Sequence, residues 1–210
     1  HPAGSARRMM TGPDIALEGI EGAGKSTGAT RLADLPDDGT RRVIRVREPG
    51  GTAAGERIRG VLLDTGSILS PWAEALLFAA SRAQLARDVV GPALEAGSWV
   101  ISDRTVYSSL AYQGGGRGLG IDAVRALNEP GLEGVWPALV VLLRIDPGTG
   151  LARQEVPDRI GGEGVAFQAR VAAAFDEVAA SEPDRFLVVD ASRDVASVTD
   201  QVLAGVLARW

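Results

Sequence analysis

One eight-residue segment near the start of the chain has the residue types and spacing of a phosphate-binding loop. It reads Gly19-Ile20-Glu21-Gly22-Ala23-Gly24-Lys25-Ser26 and fits the pattern G-x-x-x-x-G-K-[ST]. Glycines let backbone N–H groups converge on phosphate oxygens, and a helix N-terminus adds positive potential. Lys25 then reaches the terminal phosphates and the Ser26 hydroxyl holds Mg²⁺. An apolar segment before the loop and a proline-free segment after it predict the required strand–loop–helix context. The alternative is a glycine-rich turn that binds nothing.

A second segment, Arg47-Glu48-Pro49-Gly50-Gly51-Thr52, follows another predicted strand. The planar guanidinium of Arg47 could bind a phosphate through two parallel hydrogen bonds. Pro49 restricts Glu48 to an extended backbone. Pro-Gly-Gly also forms turns by itself, so these residues alone leave a surface turn equally open.

Asp103 and Arg104 directly follow the apolar segment Trp99-Val100-Ile101-Ser102. An aspartate that ends a strand beside a phosphate-binding loop can hold Mg²⁺, directly or through water. Arg104 could bind a second phosphate. The alternative is an ion pair that caps the next helix, but the position after the strand favours the phosphate site.

Phe78 and Arg82 lie four residues apart in a predicted helix and therefore share one face. The aromatic ring could stack on a base, and the guanidinium could hydrogen-bond the edge of that base. From the spacing alone, a core phenylalanine and a solvated arginine are the more common outcome.

The apolar patterning predicts a scaffold that brings these residues together. Five short apolar segments alternate with helices, which indicates an α/β fold with a five-stranded parallel sheet and helices on both faces. The predicted strands are 15–18, 43–47, 99–102, 139–145 and 186–189. The predicted helices are 25–35, 53–63, 72–96, 108–113, 121–128, 164–180 and 195–209. Ligands bind such sheets at the carboxyl ends of the strands, where polar residues cluster: Glu18, Arg47, Glu48, Asp103, Arg104 and Asp146. Several of these should face one crevice.

Composition narrows the class of protein. The chain has 210 residues, 45% of them hydrophobic, which suits a single domain over 13–210. A net charge of −5 argues against non-specific binding to nucleic acid or to an anionic membrane. The lack of cysteine excludes disulfides and thiolate zinc sites, and the lone histidine, His1, argues against histidine-based catalysis. Residues 1–12 have no apolar signal-peptide core and are expected to be disordered, with Met9 or Met10 as the native initiator. We expect a cytoplasmic protein.

Taken in order, the motifs resemble those of the thymidylate kinase family. The matching segments are Leu17-Glu18-Gly19-Ile20-Glu21-Gly22-Ala23-Gly24-Lys25-Ser26-Thr27, Arg47-Glu48-Pro49-Gly50-Gly51-Thr52, Leu77-Phe78-Ala79-Ala80-Ser81-Arg82, Asp103-Arg104 and Ser108-Ser109-Leu110-Ala111-Tyr112-Gln113-Gly114. The resemblance runs from about residue 14 to the C-terminus and is strongest up to Gly120. It implies a three-layer P-loop kinase fold with a short lid, transfer of the ATP γ-phosphate to dTMP, Mg²⁺ as cofactor, and a homodimer.

The resemblance also implies a role for each matching residue. The ATP phosphates would be bound by Gly19, Glu21, Gly22, Ala23, Gly24, Lys25, Ser26 and Thr27, and Mg²⁺ by Ser26 and Asp103. Around dTMP, Arg47 and Arg104 would hold the phosphate, Glu21 would approach the sugar 3′-hydroxyl, and Pro49 would lie in the same pocket. Phe78 would stack on thymine, Arg82 would bond its edge, and Tyr112 would lie under the deoxyribose with Ser109 and Gln113 beside it.

The segment of about 153–164 is polar and rich in glycine, and it is predicted to form a mobile lid. Family members with small residues after the loop acid usually supply catalytic arginines from this lid. Here Asp158-Arg159-Ile160 matches the family's lid core, so Arg159 joins Lys25, Arg104 and Glu21 as a catalytic candidate, and Arg153 is expected near adenine. The chain also carries Thr105 at a position that is usually aromatic in the family.

Two other readings stay open from the sequence. One is a kinase for another nucleoside monophosphate or for a deoxynucleoside. The other is a nucleotide-binding regulator that keeps the phosphate loop but turns over poorly, which the short lid with only two arginines would suit. Retention of Arg47, Arg104 and the base pocket argues against the regulator. An arginine aimed at a carbonyl suits thymine O4 better than the amine of cytosine.

Overall fold

A fully parallel, five-stranded sheet forms the centre of the computed structural model, which describes residues 11–34, 42–154 and 158–210. Its strands are β1 (Asp14–Glu18), β2 (Val43–Arg47), β3 (Trp99–Asp103), β4 (Leu139–Arg144) and β5 (Phe186–Asp190). The spatial order is β2-β3-β1-β4-β5. Every residue of β1 is buried, as expected for an apolar strand covered on both faces. The predicted fold class is confirmed, and each predicted strand lies within one residue of the observed one.

The order of the strands fixes where a ligand can bind. β1 pairs with β3 on one side and with β4 on the other. The chain therefore winds in opposite directions from β1, and the crevice outside the carboxyl end of this strand is the switch point at which α/β sheets bind ligands. The phosphate-binding loop follows β1, and Asp103 ends the neighbouring β3.

Helices cover both faces of the sheet in the described residues. They are α1 (Lys25–Ala33), α2 (Ala53–Leu63), α3 (Pro71–Leu85), α4 (Gly91–Glu95), α5 (Val106–Ser109), α6 (Ile121–Leu132), α7 (Pro147–Ala152), α8 (Val165–Ser181) and α9 (Val195–Leu207). Two π-helical segments, Ala86–Val90 and Leu110–Gly116, continue α3 and α5. None of the described helices is long and apolar enough to cross a membrane.

Two helix predictions were wrong in detail, and one short helix was not predicted. The single helix predicted over 72–96 is interrupted by the π segment, since Pro92 lacks the N–H that an unbroken α-helix would use. The helix predicted over 121–128 runs through Pro130 and ends only where Glu133 adopts a left-handed backbone, with φ of 49°. The short α7 was not predicted. Asp146 caps it by accepting the Thr149 N–H at 2.9 Å, which explains why Asp146 does not face the crevice.

The ends of two predicted segments need separate comment. The predicted disorder of residues 1–10 and the predicted helix end at residue 35 lie outside the described residues. Thr11 and Gly12, which were expected to lie outside the folded domain, are instead held against α4. Their N–H groups both donate to the Leu94 carbonyl at 3.1 Å.

Asp14 is a buried carboxyl group at the start of the central strand β1. Only 4% of the residue is exposed, and one of its oxygens accepts a hydrogen bond from Ser102 Oγ at 3.1 Å. Burial raises the pKa of Asp14 to about 7, the nearby charge of Glu48 adds to the shift, and the Ser102 hydrogen bond opposes it. The position therefore favours a neutral group.

We predict that Asp14→Asn raises the free energy of unfolding at pH 8 by roughly 2–4 kcal/mol. Below the ordinary pKa of 3.8 the carboxyl is neutral in both states, and its cost to folding is absent. Between that pH and about 7 the native protein keeps a proton that the unfolded chain releases, so wild-type stability falls as pH rises, and the loss is complete above pH 7. Asparagine keeps the acceptor for Ser102 and cannot ionise.

Urea unfolding at several pH values between 5 and 8 measures this effect. The exposed Asp200→Asn serves as a matched control and should leave the pH dependence unchanged. If the free energy of unfolding depended on pH equally in the wild type and in Asp14→Asn, ionisation of Asp14 would not destabilise the fold.

Candidate active site

A cavity of about 500 Å³ opens at the carboxyl ends of β1, β2 and β3. This volume is typical of a small-molecule site. Of the predicted site residues, all but Gly19, Ala23 and Arg159 line it. The predicted residues that line it are Glu21, Gly22, Gly24, Lys25, Ser26, Thr27, Arg47, Pro49, Phe78, Arg82, Asp103, Arg104, Ser109, Tyr112, Gln113 and Arg153. Residues from the loop, from α3 and from the π segment after α5 thus meet at one place.

The loop between β1 and α1 has the backbone that a phosphate cradle requires. Gly24 has φ of 90° and precedes the first residue of α1, Lys25. Gly22 has φ of 71°, and a Cβ added there would overlap the carbonyl oxygen of Gly150. Both positions therefore need glycine. The first-turn N–H groups of α1 remain available for an anion.

Lys25 projects into this cradle from a buried position. Its ammonium donates to the Ile20 carbonyl at 2.6 Å. Burial, followed by the positive charge of Arg104, lowers the pKa of Lys25 to about 8, although Glu21 and Asp103 act in the opposite direction. The ammonium is held close to its own loop, so it lies where loop-bound phosphates would be.

Arg104 adopts a left-handed backbone with φ of 70°, unusual for a residue other than glycine. Its N–H donates to the Leu17 carbonyl at 3.1 Å, and its guanidinium donates to Gly19 O and Ser108 Oγ, both at 3.2 Å. It also lies 2.5 Å from Glu21 Oε1. This strained backbone with many hydrogen bonds aims the guanidinium into the pocket.

Glu21 is ionised beside Arg104. Burial alone would raise the pKa of Glu21, but the charges of Arg104 and Lys25 and a hydrogen bond from Tyr112 outweigh it and lower the pKa to about 2. The Tyr112 hydroxyl donates to Glu21 at 3.1 Å, and the Arg104 guanidinium lies 5.0 Å from the centre of the tyrosine ring. Burial raises the pKa of Tyr112, and the negative charge of Glu21 raises it further, while the positive charge of Arg104 acts in the opposite direction. The net shift is upward, so the phenol stays protonated. Glu21 can therefore only accept hydrogen bonds.

Thr105, which stands where the resemblance leads one to expect an aromatic residue, secures the base of the site. Its N–H and its hydroxyl both donate to the buried Glu18 carboxylate at 2.7 Å. Ser108 donates to the same carboxylate at 2.6 Å. Glu18 does not line the pocket. It instead fixes the turn that carries Arg104, and the Thr105 hydroxyl adds one of the hydrogen bonds that hold this turn.

Arg47 lines the pocket from the end of β2 and is half exposed. Its guanidinium contacts Glu56 at 3.1 Å. Arg59 of α2 donates to the Pro49 carbonyl at 2.9 Å and lines the same wall, which the sequence did not predict. The peptide bond between Glu48 and Pro49 is cis. Two guanidinium groups thus lie at this edge.

Phe78 and Arg82 share a face of α3, and both line the pocket. Arg82 is only 2% exposed and donates four hydrogen bonds. The acceptors are Glu48 Oε2 at 2.6 Å, Asn128 Oδ1 at 2.5 Å, Thr105 O at 3.2 Å and Ser109 Oγ at 3.0 Å. A guanidinium has five N–H donors. Arg82 is therefore rigidly placed and has one N–H left for a ligand.

Ser26 and Asp103 form the candidate metal position. The Ser26 hydroxyl donates to Asp103 Oδ2 at 2.6 Å. Mg²⁺ prefers oxygen ligands, and in nucleotide sites it commonly takes one or two from the protein and the rest from water and phosphate. No group of three or more acidic, histidine or cysteine side chains that could hold a metal occurs among the described residues. A hydroxyl and a carboxylate beside a phosphate cradle fit a magnesium ion that is completed by the nucleotide.

The described part of the lid contacts two regions of the protein. Arg153 lines the pocket and donates to the Ala191 carbonyl, which follows β5, at 3.2 Å. Asp158 accepts the N–H groups of Ile160 and Gly161 at 3.0 and 2.8 Å, which forms a turn that leads into the 3₁₀ helix Gly161–Glu163. Residues 155–157 of the predicted lid lie outside the described residues.

Arg159, the predicted catalytic arginine of the lid, lies against α2 and α3 in the structure. Its guanidinium donates to the Leu62 carbonyl and to Glu74 Oε2, both at 2.8 Å, and it does not line the pocket. The physical reason is the fully buried carboxylate of Glu74, which needs counterions. Its Nη2 is buried without a partner in the part of the chain that the structure describes.

Sequence reasoning missed Glu74 and Arg117, which bridge α3, the π segment and the lid. A signal for Glu74 was present, since it precedes Phe78 by one helical turn within the apolar run of α3 and so shares the face of Phe78 and Arg82. Arg59 and Arg117 follow no pattern that would separate them from solvated arginines.

Comparison with known proteins completes the description of this site. The family model for thymidylate kinase matches residues 17–202, which include every residue that lines the pocket. A thymidylate kinase from Deinococcus radiodurans is 45% identical over 204 residues, covering 96% of this chain and 99% of that protein. A thymidylate kinase from Gloeobacter violaceus is 43% identical over 91% of this chain and 93% of its own length. One from Halothermothrix orenii is 46% identical over 88% of this chain and 91% of its own length.

Proposed function

The chain belongs to the thymidylate kinase family and converts dTMP to dTDP with ATP as phosphate donor, and we propose that the pocket described above performs this transfer. The observation that carries the proposal is that a single pocket is lined both by the phosphate loop and by Phe78 and Arg82 of α3. Two substrates that react directly must share one cavity, and this cavity offers a set of groups for each.

The phosphates are the strongest constraint on the reaction. An oxygen of the dTMP phosphate attacks the γ-phosphorus of ATP, the bond from that phosphorus to the β–γ bridging oxygen breaks, and ADP leaves. Both reactants are anions, so their approach is repulsive. We assign Lys25 and the loop N–H groups to the ATP phosphates, and Arg104 and Arg47 to the dTMP phosphate. Catalysis then consists of positioning and charge neutralisation, and no strong base is needed.

Glu21 and Tyr112 are assigned to the sugar. Because Glu21 is ionised, it can accept a hydrogen bond from the 3′-hydroxyl of dTMP. The Tyr112 hydroxyl is tied to Glu21, which fixes the ring in the pocket wall. A ring held against the deoxyribose leaves little room for a 2′-hydroxyl, so this pair favours a deoxynucleotide.

Phe78 and Arg82 are assigned to the base. Stacking on an aromatic ring contributes about 1–3 kcal/mol per base in nucleic-acid sites. The remaining N–H of Arg82 suits an acceptor such as thymine O4, and Ser109 and Gln113 complete the wall. Since four hydrogen bonds fix Arg82, its position does not adapt to a base with a different pattern of hydrogen-bond donors and acceptors.

Mg²⁺ would be held by Ser26 and Asp103 together with the ATP phosphates. When bound, it would neutralise charge on those phosphates. Arg153 is assigned to the adenine side, which its contact with the loop after β5 supports.

We also propose that the enzyme is a homodimer. Val61 of α2 and Trp72 and Leu76 of α3 are 45%, 47% and 53% exposed, which leaves apolar surface on neighbouring helices. Sedimentation should give about twice the chain mass of 21.8 kDa for the wild type. It should give the single mass for Leu76→Glu, and a monomeric wild type at assay concentration would contradict the proposal.

The assignment of the transfer is tested by a coupled assay with ATP and a panel of monophosphates. We expect activity with dTMP well above that with dCMP, dGMP and the ribonucleotide UMP. Lys25→Met keeps the length and burial of the side chain but removes its charge. It should lower kcat by at least about 100-fold, because a positioned cation that meets developing charge is lost.

An unchanged circular dichroism spectrum would establish that Lys25→Met is folded. Near-normal turnover by folded Lys25→Met would contradict the role of the phosphate loop. Activity restricted to another monophosphate would contradict the assignment of the base pocket.

The role of Arg159 stays a prediction, since the guanidinium must leave Glu74 to reach the transferred group. If it does so only in the transition state, Arg159→Ala lowers kcat by about tenfold to 100-fold with little change in KM for dTMP. Arg153→Ala, the matched lid variant, should instead raise KM for ATP. Wild-type kcat in Arg159→Ala would contradict the catalytic role and leave Arg159 with its contacts to Glu74 and Leu62.

A further inference from the structure

The carboxylate of Glu74 joins three parts of the protein. It lies in the first turn of α3, is fully buried, and receives four N–H donors. Gln113 Nε2 donates to Oε1 at 2.9 Å, and Arg117 donates to both oxygens at 3.1 and 3.0 Å. Arg159 Nη1 donates to Oε2 at 2.8 Å. A buried carboxylate this well paired holds its partners in fixed orientations.

These contacts keep Glu74 ionised. Burial alone would raise its pKa, but the hydrogen bonds from Arg117, Gln113 and Arg159 outweigh burial and lower the pKa. An ionised carboxylate accepts hydrogen bonds and donates none. Any group that contacts it must therefore turn a donor toward it.

This requirement decides the orientation of the Gln113 side chain. A carboxamide has a donor end and an acceptor end, and ordinary packing does not distinguish them. Because Glu74 can only accept, the NH₂ group of Gln113 must face it. Gln113 lines the pocket, and within the described ranges no group donates a hydrogen bond to its side-chain oxygen Oε1. The carbonyl is therefore the end left for a ligand.

Glu74 also lies close to the groups assigned to the base. Glu74, Phe78 and Arg82 are spaced by four residues on α3 and share one face of the helix. Arg82 is held by four hydrogen bonds, so it cannot move to compensate for a change at Gln113.

We propose that Glu74 is a positioning residue for base selection, which holds the Gln113 carbonyl toward the nucleobase so that the pocket accepts an N–H at the base N3. The inference rests on the proposed dTMP site. Thymine and uracil carry a hydrogen on N3, whereas cytosine has a lone pair there. With cytosine two acceptors would face each other, and the buried carbonyl would stay unpaired.

Glu74→Gln tests the proposal, because the new amide can donate to the Gln113 carbonyl and let the Gln113 side chain turn over. The measured quantity is kcat/KM for dCMP divided by kcat/KM for dTMP. We expect this ratio to rise by about tenfold or more in Glu74→Gln. A general change in the lid, caused by the release of Arg159, would affect both substrates and cancel in the ratio. In a Gln113→Leu background, Glu74→Gln should have no further effect on the ratio.

Two matched variants complete the experiment. Glu163→Gln removes another partner of Arg117 without touching Gln113, and it should keep the wild-type ratio. Glu74→Asp keeps an acceptor-only group and should also keep the ratio, even if both activities fall. An unchanged ratio in folded Glu74→Gln, or an equal change in Glu163→Gln, would overturn the inference.

A measurement on the wild type keeps the inference testable if Glu74→Gln does not fold. The side-chain NH₂ signals of Gln113, assigned by their loss in Gln113→Leu, should exchange slowly with water both before and after dTMP is added. Fast exchange with water in both the free and the dTMP-bound protein would mean that the NH₂ is not held by Glu74, and it would contradict the inference. If the wild type fails to phosphorylate dTMP, the proposed function fails. If it selects dTMP but these tests fail, only the role of Glu74 is wrong.

Discussion

Cations gathered in a half-buried pocket must be held in place by fixed carboxylates, and much of this structure follows from that requirement. The pairs around the pocket are Arg104 with Glu21, Arg82 with Glu48, Arg47 with Glu56, and Arg159 with Glu74. Moving a charged side chain out of water costs more free energy than a single ion pair contributes, unless hydrogen bonds satisfy the remaining donors and acceptors of both partners. The three less exposed pairs each have several additional hydrogen bonds, whereas the exposed pair of Arg47 and Glu56 has one, from the Gly51 N–H. The exposed pair of Arg47 and Glu56 contributes little to stability and leaves Arg47 free to exchange partners.

The fold supplies the rigidity that these pairs need. β1 and β3 are paired in register, so the loop after β1 and the turn after β3 end at the same level of the sheet. Glu18, at the end of β1, binds the turn after β3 through Thr105 and Ser108 and so ties the positions of Lys25 and Arg104 to each other. The wide π segment Leu110–Gly116 then brings the neighbouring residues Tyr112 and Gln113 to one wall of the pocket.

The sequence predicted the parts of the site that follow directly from local patterns. Apolar strand patterns predicted the sheet, and the spacing of glycines predicted the phosphate-binding loop. Polar residues at the strand ends predicted the location of the crevice. Spacing alone favoured a core role for Phe78 and a solvated Arg82. Only the resemblance to the family put them in the pocket, because burial of Arg82 depends on Glu48 and Asn128, which are distant in sequence. The contact of Arg159 with Glu74 could not be predicted for the same reason, since the two residues lie 85 positions apart in the sequence.

A crystal structure of the chain with ADP and dTMP is the most direct test of the central claim that one pocket aligns both substrates. The account predicts the dTMP phosphate within hydrogen-bonding distance of Arg104 and Arg47, thymine stacked on Phe78, and the ADP phosphates in the loop around Lys25. Binding of dTMP with its phosphate away from Arg104, or with thymine away from α3, would contradict it.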